Sequence, residues 1–323
     1  MNRKYFGLWA AAAAMLVLIL DSRSAAQAAA EAVEISIRTV IPNLFPFFLL
    51  SGYLTSSLRR SKFPEAIDRI FRCDAACGAV ITAGLLGGYP LGAKLAAAEL
   101  ENGTISKKQG DRLLSFCSQA GPSFLFGMVA GQFPSAKFGW MLWLIQIVSS
   151  ISVAWALPKI SEPNSRPATA HKQENDPMFP ALRAMGSVCG WVIVWNVILH
   201  FLDRWFLWML PGWSRILITG LLELTSGCLR LCSVEPLFLR FLLAVIMLNF
   251  GGLCILMQTA SLTRGLELKN YILGKFIQTL FAVAYTGLLF GKIWWLIPVI
   301  PMFFRKIHLE GRNKGSIPAK IGV

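Results

Sequence analysis

Two ionisable side chains stand where an apolar chain should carry none. Lys94 follows Gly87-Gly-Tyr-Pro-Leu-Gly92, and Glu223 lies inside Gly220-Leu-Leu-Glu-Leu-Thr-Ser-Gly227. A charge within a membrane segment is costly and is by default a functional hypothesis. Gly88, Tyr89 and Pro90 break the first stretch, and a break amid apolar flanks is tolerated only inside protein or beside a cavity. Lys94 is suited to attract an anionic group, helped by the N-terminus of the helix that Pro90 opens. The alternative is that its long stem carries the ammonium back to the interface. Glu223 could hold a proton or cation that travels with a solute, or form a structural ion pair with Lys94 or Arg230.

Other polar residues cluster at further breaks. Ser118, Gln119 and Gly121 interrupt the apolar run 112–131, and Asn249, Gly251 and Gln258 interrupt a later one; Thr225 and Ser226 follow Glu223. Each could orient a small ligand or simply satisfy a broken helix end. Tyr89 could stack on a planar ligand or pack at an interface. The chain contains no HExxH, GxSxG or Walker A sequence, so neither catalytic residues nor an ATP motor are expected. Seven cysteines without CxxC spacing and three scattered histidines predict no disulfide framework, metal site or cofactor.

The elements that must hold these residues are membrane helices. The chain is 55% hydrophobic and 15% charged, with a mean hydropathy of +0.57, and several runs approach the ~20 residues that a span needs. The formal charge of +14 is spread over short basic loops and the tail. That pattern sets topology and does not form a nucleic-acid patch. Residues 1–72 supply N-terminal membrane helices, beginning with an apolar stretch read as a retained helix in preference to a cleaved signal peptide. Residues 22–37 are expected to be helical without spanning, and 38–58 to be a span kinked by Pro42 and Pro46.

A first repeat covers 73–157: a hairpin of two short arms meeting at Gly87–Pro90, a capping box at Ser106–Gln109, a helix broken at Ser118–Pro122, and a plain span at 138–157. The second arm, Pro90 to about Leu100, would be roughly 16 Å long, about half of a ~30 Å core, so the hairpin should re-enter. Residues 158–180 form a Pro-rich polar linker, and 181–213 a connecting helix ending in Trp205 and Trp208. A second repeat covers 214–304, and 305–323 form a basic tail. Loops 59–72, 101–111 and 158–180 should be cytoplasmic and 203–214 external. Gly220–Arg230 can be laid on Gly84–Lys94 without a gap, and Asn249–Gln258 matches the earlier break. Counted from a cytoplasmic N-terminus, the two halves are inverted, as in many secondary transporters.

On Pro42-Asn-Leu-Phe-Pro-Phe-Phe48, Gly87-Gly-Tyr-Pro-Leu-Gly-Ala-Lys94, Phe116-Cys-Ser-Gln-Ala-Gly-Pro-Ser-Phe124, Glu223-Leu-Thr-Ser-Gly227 and Asn249-Phe-Gly-Gly252 through Gln258, the chain resembles the sporulation integral membrane proteins of YlbJ type with a nucleoside-recognition (Gate) domain. It departs from that pattern at Cys117-Ser118, where Cys-Asn or Ser-Asn is expected, and in a short linker. The resemblance implies an all-α polytopic fold like that of the concentrative nucleoside transporters, with two re-entrant hairpins and two broken helices around one site. It does not establish a nucleoside as the solute, since the sporulation members are linked to moving a small spore metabolite, with dipicolinate the obvious candidate. The expected cargo is a small polar or anionic metabolite, dipicolinate-like or nucleoside-like, and the coupling proton or cation is the expectation drawn from Glu223. A non-transporting membrane assembly factor for spore formation is the alternative. The expected partners are therefore a solute and the lipid bilayer, with no nucleic acid, and no oligomeric state is assigned.

Overall fold

The computed structural model describes residues 3–59, 63–73, 77–160, 178–263 and 265–291. Every regular element among them is helical. Helices α1 (Arg3–Leu20), α2 (Ser22–Ile35), α3 (Ile41–Arg59) and α4 (Phe63–Ile70) come first. A wide-turn segment, Ser36–Val40, joins α2 to α3 without a break. Residues 22–37, expected not to span, therefore belong to one continuous run, Ser22–Leu50, long and apolar enough to cross a membrane. The polar flecks in α2 hid this, because the apolar residues that complete the span lie beyond the wide turn.

Next come α5 (Cys77–Gly87) and α6 (Leu91–Glu101), then α7 (Lys107–Leu114), α8 (Pro122–Phe124, continued by wide turns to Val129) and α9 (Lys137–Ala156). The second half has α10 (Met178–Trp205), α11 (Gly212–Leu222), α12 (Leu224–Leu229), α13 (Leu237–Phe250), α14 (Gly252–Leu262) and α15 (Leu268–Leu289). Among the described residues five stretches, Ser22–Leu50, Lys137–Ala156, Ala181–Trp205, Leu237–Leu262 and Leu268–Leu289, could cross a bilayer by length and hydropathy. Most of the 158–180 linker, all of 293–304 and the basic tail lie outside the described residues.

The local signals in the sequence account for the element ends. Ser106 caps α7 as a full capping box: its Oγ accepts from Gln109 N at 3.2 Å while its own N donates to Gln109 Oε1 at 2.8 Å. Pro122 opens α8, where its missing N–H is no loss. Gly251 and Gly252 take φ values of 86° and 78°, which divert the chain between α13 and α14.

Each half folds a pair of short helices back on itself. Gly84 of α5 faces Gly92 of α6, and a Cβ on either would strike the Cys117 carbonyl oxygen. In the second half Gly220 of α11 faces Gly227 of α12 in the same manner. The pairing does not follow the gapless alignment. The second glycine comes eight residues on in the first hairpin and seven in the second; three residues turn the first and Glu223 alone turns the second. Lys94 and Arg230 are consequently not equivalent: Lys94 is half-buried in the first turn of α6, whereas Arg230 is exposed at the end of α12.

Candidate functional site

The first break leaves α7 through a turn at 115–117 and an irregular stretch to Gly121 before α8, and the carbonyls along it face two sides. Cys117 O turns toward Gly84 and Gly92. On the other side, three carbonyls each receive a side-chain donor. Phe116 O accepts from Ser150 Oγ (2.8 Å) and Gln119 Nε2 (2.8 Å), Ala120 O from Gln146 Nε2 (2.8 Å), and Ser118 O from Lys275 Nζ. The backbone groups that an apolar surrounding would leave unpaired are thus supplied by α9 and α15. Gly274 lets α15 come this close, since a Cβ there would overlap Ser115.

Around that segment lies a buried polar node. Lys275, 1% exposed, also donates to Gln278 Oε1 at 3.0 Å and reaches Gln119 Oε1 at 3.4 Å. Gln278 Nε2 donates to Gln119 Oε1 (2.6 Å) and to Asn249 Oδ1 (3.0 Å), which ties the first break to the second. The Tyr89 and Tyr271 rings lie over the ammonium, at 4.9 and 5.8 Å. Ser118 contributes its backbone; its Oγ is buried with no partner among the described residues.

Tyr89 joins this node to a cavity. Its hydroxyl donates to Leu248 O at 3.1 Å, a carbonyl whose helix ends two residues later, and its ring packs where Gly251 has no side chain. Gly88, with φ 79°, sits against Gly121, so the first turn rests on its own half's break while Tyr89 reaches across to the other. The cavity, of about 40 Å³, is lined by Tyr89, Gly121, Glu223, Thr225 and Gln258 among mostly apolar neighbours. At ~10–15 Å³ each it has room for about three waters.

Glu223 is 2% exposed and turns its carboxylate onto its own helix, accepting from Thr225 N at 3.0 Å and Ser226 N at 2.6 Å. These two backbone amides cap α12, so the carboxylate serves its own helix start. Ser226 points away, its Oγ donating to Asn196 Oδ1 at 2.8 Å. Asn196 lines a second cavity, of about 80 Å³, together with His200, Asp203 and Arg230. Gln258 donates to Cys254 Sγ at 3.3 Å.

Of the residues expected at the site, Tyr89, Gly121, Glu223, Thr225 and Gln258 meet at the first cavity, and Ser118, Gln119 and Asn249 meet in the polar node. Gly88, Pro90 and Gly251 shape the turn and the break around Tyr89. Lys94 lines neither cavity. Sequence reasoning passed over Lys275 and Gln278, along with Gln146, Ser150 and Tyr271. The signal was present, since an intramembrane Lys with a Gln three residues on shares one helix face. It sits in an unbroken span, away from the glycines and prolines that mark the breaks.

Compared with known proteins, the chain is similar to the sporulation integral membrane protein YlbJ of Bacillus subtilis (strain 168), 23% identical over 305 residues that cover 79% of this chain and 75% of that protein. No family model matches the chain, and no solved structure matches it. An integral membrane relative and five helices fit to span agree. This is a multi-pass membrane protein.

Proposed function

We propose that the protein is a secondary-transporter-like carrier for a small polar solute, built as two inverted repeats with re-entrant hairpins and serving a sporulating cell. The observation that carries this reading is the convergence at one cavity. Tyr89 from the first hairpin turn, Glu223 from the second, and residues beside both helix breaks face the same space. A cavity of about 40 Å³ is too small for an aromatic solute, so loading requires Tyr89 or a hairpin to move. Ser226, next to the cavity-lining Thr225, bonds Asn196, which lines the second cavity, so a chain of two residues connects the two linings. A dianionic solute entering beside Glu223 would bring a proton or cation with it, and that defines the coupling. The similarity to a sporulation membrane protein supports the cellular setting.

The test is uptake into proteoliposomes holding the purified full-length chain, with labelled dipicolinate and labelled uridine as probes. Saturable uptake of one probe, competed by its unlabelled form and reduced in Tyr89→Ala, is expected. Uptake no greater than in empty vesicles for either probe, or for a wider panel of dicarboxylates and nucleosides, would favour a non-transporting assembly factor.

A further inference from the structure

We infer that the three oxygens around Lys275 Nζ form a monovalent-cation site, which the protein fills with its own tethered ammonium. Lysine has three N–H donors and no acceptor. Here they meet Ser118 O, Gln278 Oε1 (3.0 Å) and Gln119 Oε1 (3.4 Å), all uncharged. No carboxylate pairs with Lys275 among the described residues. Glu267, the acidic residue nearest along the described chain, is engaged with Lys107 and Lys269, and Asp111, which accepts from the Glu267 backbone, is engaged with Lys107. A buried cation would ordinarily be compensated by an opposite charge. Carbonyl and amide oxygens at an unwound helix are instead the donor set that hard cations take.

The oxygens are held in place independently of the amine. The two glutamine amides bond each other, Gln278 Nε2 to Gln119 Oε1 at 2.6 Å and Gln119 Nε2 to Gln278 Oε1 at 3.3 Å, and further donors run to Asn249 Oδ1 and Ser150 Oγ. Their oxygens are therefore oriented by a network that includes both helix breaks. The tyrosine faces at 4.9 and 5.8 Å complete the surroundings with the ring geometry that attracts a cation. Gly274 brings α15 against Ser115, which sets the stem's base at the distance from which Nζ reaches the site. The bearing on coupling rests on the transporter reading: with this position occupied, a travelling cation or proton has its place at Glu223. The oxygen site itself does not depend on that reading.

The experiment measures thermal unfolding of the detergent-purified full chain by tryptophan fluorescence, for the natural protein and Lys275→Ala. Each is measured in sodium, potassium, ammonium, methylammonium and choline chlorides at equal ionic strength. Removing the side chain empties the site, so Lys275→Ala should gain a saturable rise in Tm of about 3–5 °C in at least one small cation over choline, beyond any rise in the natural protein. Should Lys275→Ala aggregate, Lys275→Ser, whose hydroxyl adds an oxygen, takes the same measurement. A variant with no greater cation response than the natural protein overturns the inference. So does aggregation of both variants in all five salts, because an emptied cation site should be refillable. No solute is involved, so a cation response alongside failed vesicle uptake would retire the transporter reading and leave this site standing.

Discussion

Gly92→Ala isolates the contact on which the first hairpin depends. The added Cβ would meet Cys117 O and come within 3.2 Å of the Gly84 Cα, so every obstacle is backbone. None can rotate away, and α6 must lift from α5 and from the unwound segment together. Overpacking of this kind costs about 1–3 kcal/mol, against which alanine recovers up to about 1 kcal/mol of helix propensity. The net loss is about 1–2 kcal/mol, or roughly 2–6 °C in Tm. Two controls give the prediction its sign. Gly220→Ala meets chiefly the Met247 side chain, buried but flexible, and should cost less than Gly92→Ala. Gly190→Ala in α10 meets nothing within 4 Å and should be neutral or mildly stabilising. Thermal unfolding followed by tryptophan fluorescence ranks the three. If Gly92→Ala melts with Gly190→Ala, the backbone crossing does not hold the hairpin, and the placement of Cys117 and Ser118 loses its explanation.

Three further outcomes follow from single contacts. Tyr89→Phe keeps the ring over Lys275 but leaves Leu248 O without its donor, which should cost about 1–3 kcal/mol and speed hydrogen exchange at Gly88–Leu91; unchanged melting and exchange would show the bond to be idle. Glu223→Gln sets an amide N–H against Thr225 N or Ser226 N, so it should lower stability by about 1–3 kcal/mol and flatten the pH dependence of vesicle uptake; uptake with the natural pH profile would remove Glu223 from coupling. Outside the spans, the hydrogen bonds from Lys269 first and then Lys107 pull the Glu267 carboxyl down to about 2 from 4.5. A carboxylate depressed on folding stabilises above its unfolded value and loses that contribution as pH falls through its folded one. Glu267→Gln should therefore soften acid unfolding between about pH 4.5 and pH 2, as read by circular dichroism, and an identical acid limb would assign that loss to other carboxylates.

What could be read in the sequence, and what could not, divides by the range of the interaction. The breaks at Gly87–Pro90, Ser118–Pro122 and Gly251-Gly252, and the capping box at Ser106, are local statements about donors and backbone torsions, and the chain states them in order. Glu223 was legible as an intramembrane carboxylate, but not what it holds. Its partners are the backbone amides of Thr225 and Ser226, and a backbone partner leaves no trace in side-chain types. The seven-residue spacing of Gly220 and Gly227 shows why a gapless repeat misplaced Arg230: a one-residue turn shortens the loop, so register follows the glycine crossing and not the count between charges. Lys94 and Lys275 give the sharpest contrast. Both are lysines in apolar helices, and the one beside the break was the natural choice. Yet α6 starts at Leu91 and leaves Lys94 half-buried, whereas Lys275, deep in an unbroken helix, is brought to the break by a glycine on its own side and an unwound chain opposite. A helix break needs donors for the carbonyls it frees, and the residues that supply them lie on whichever intact helix packs against it. Here those residues are Ser150 and Gln146 on α9 and Lys275 on α15, so the chemistry of a broken helix is found by searching the unbroken ones.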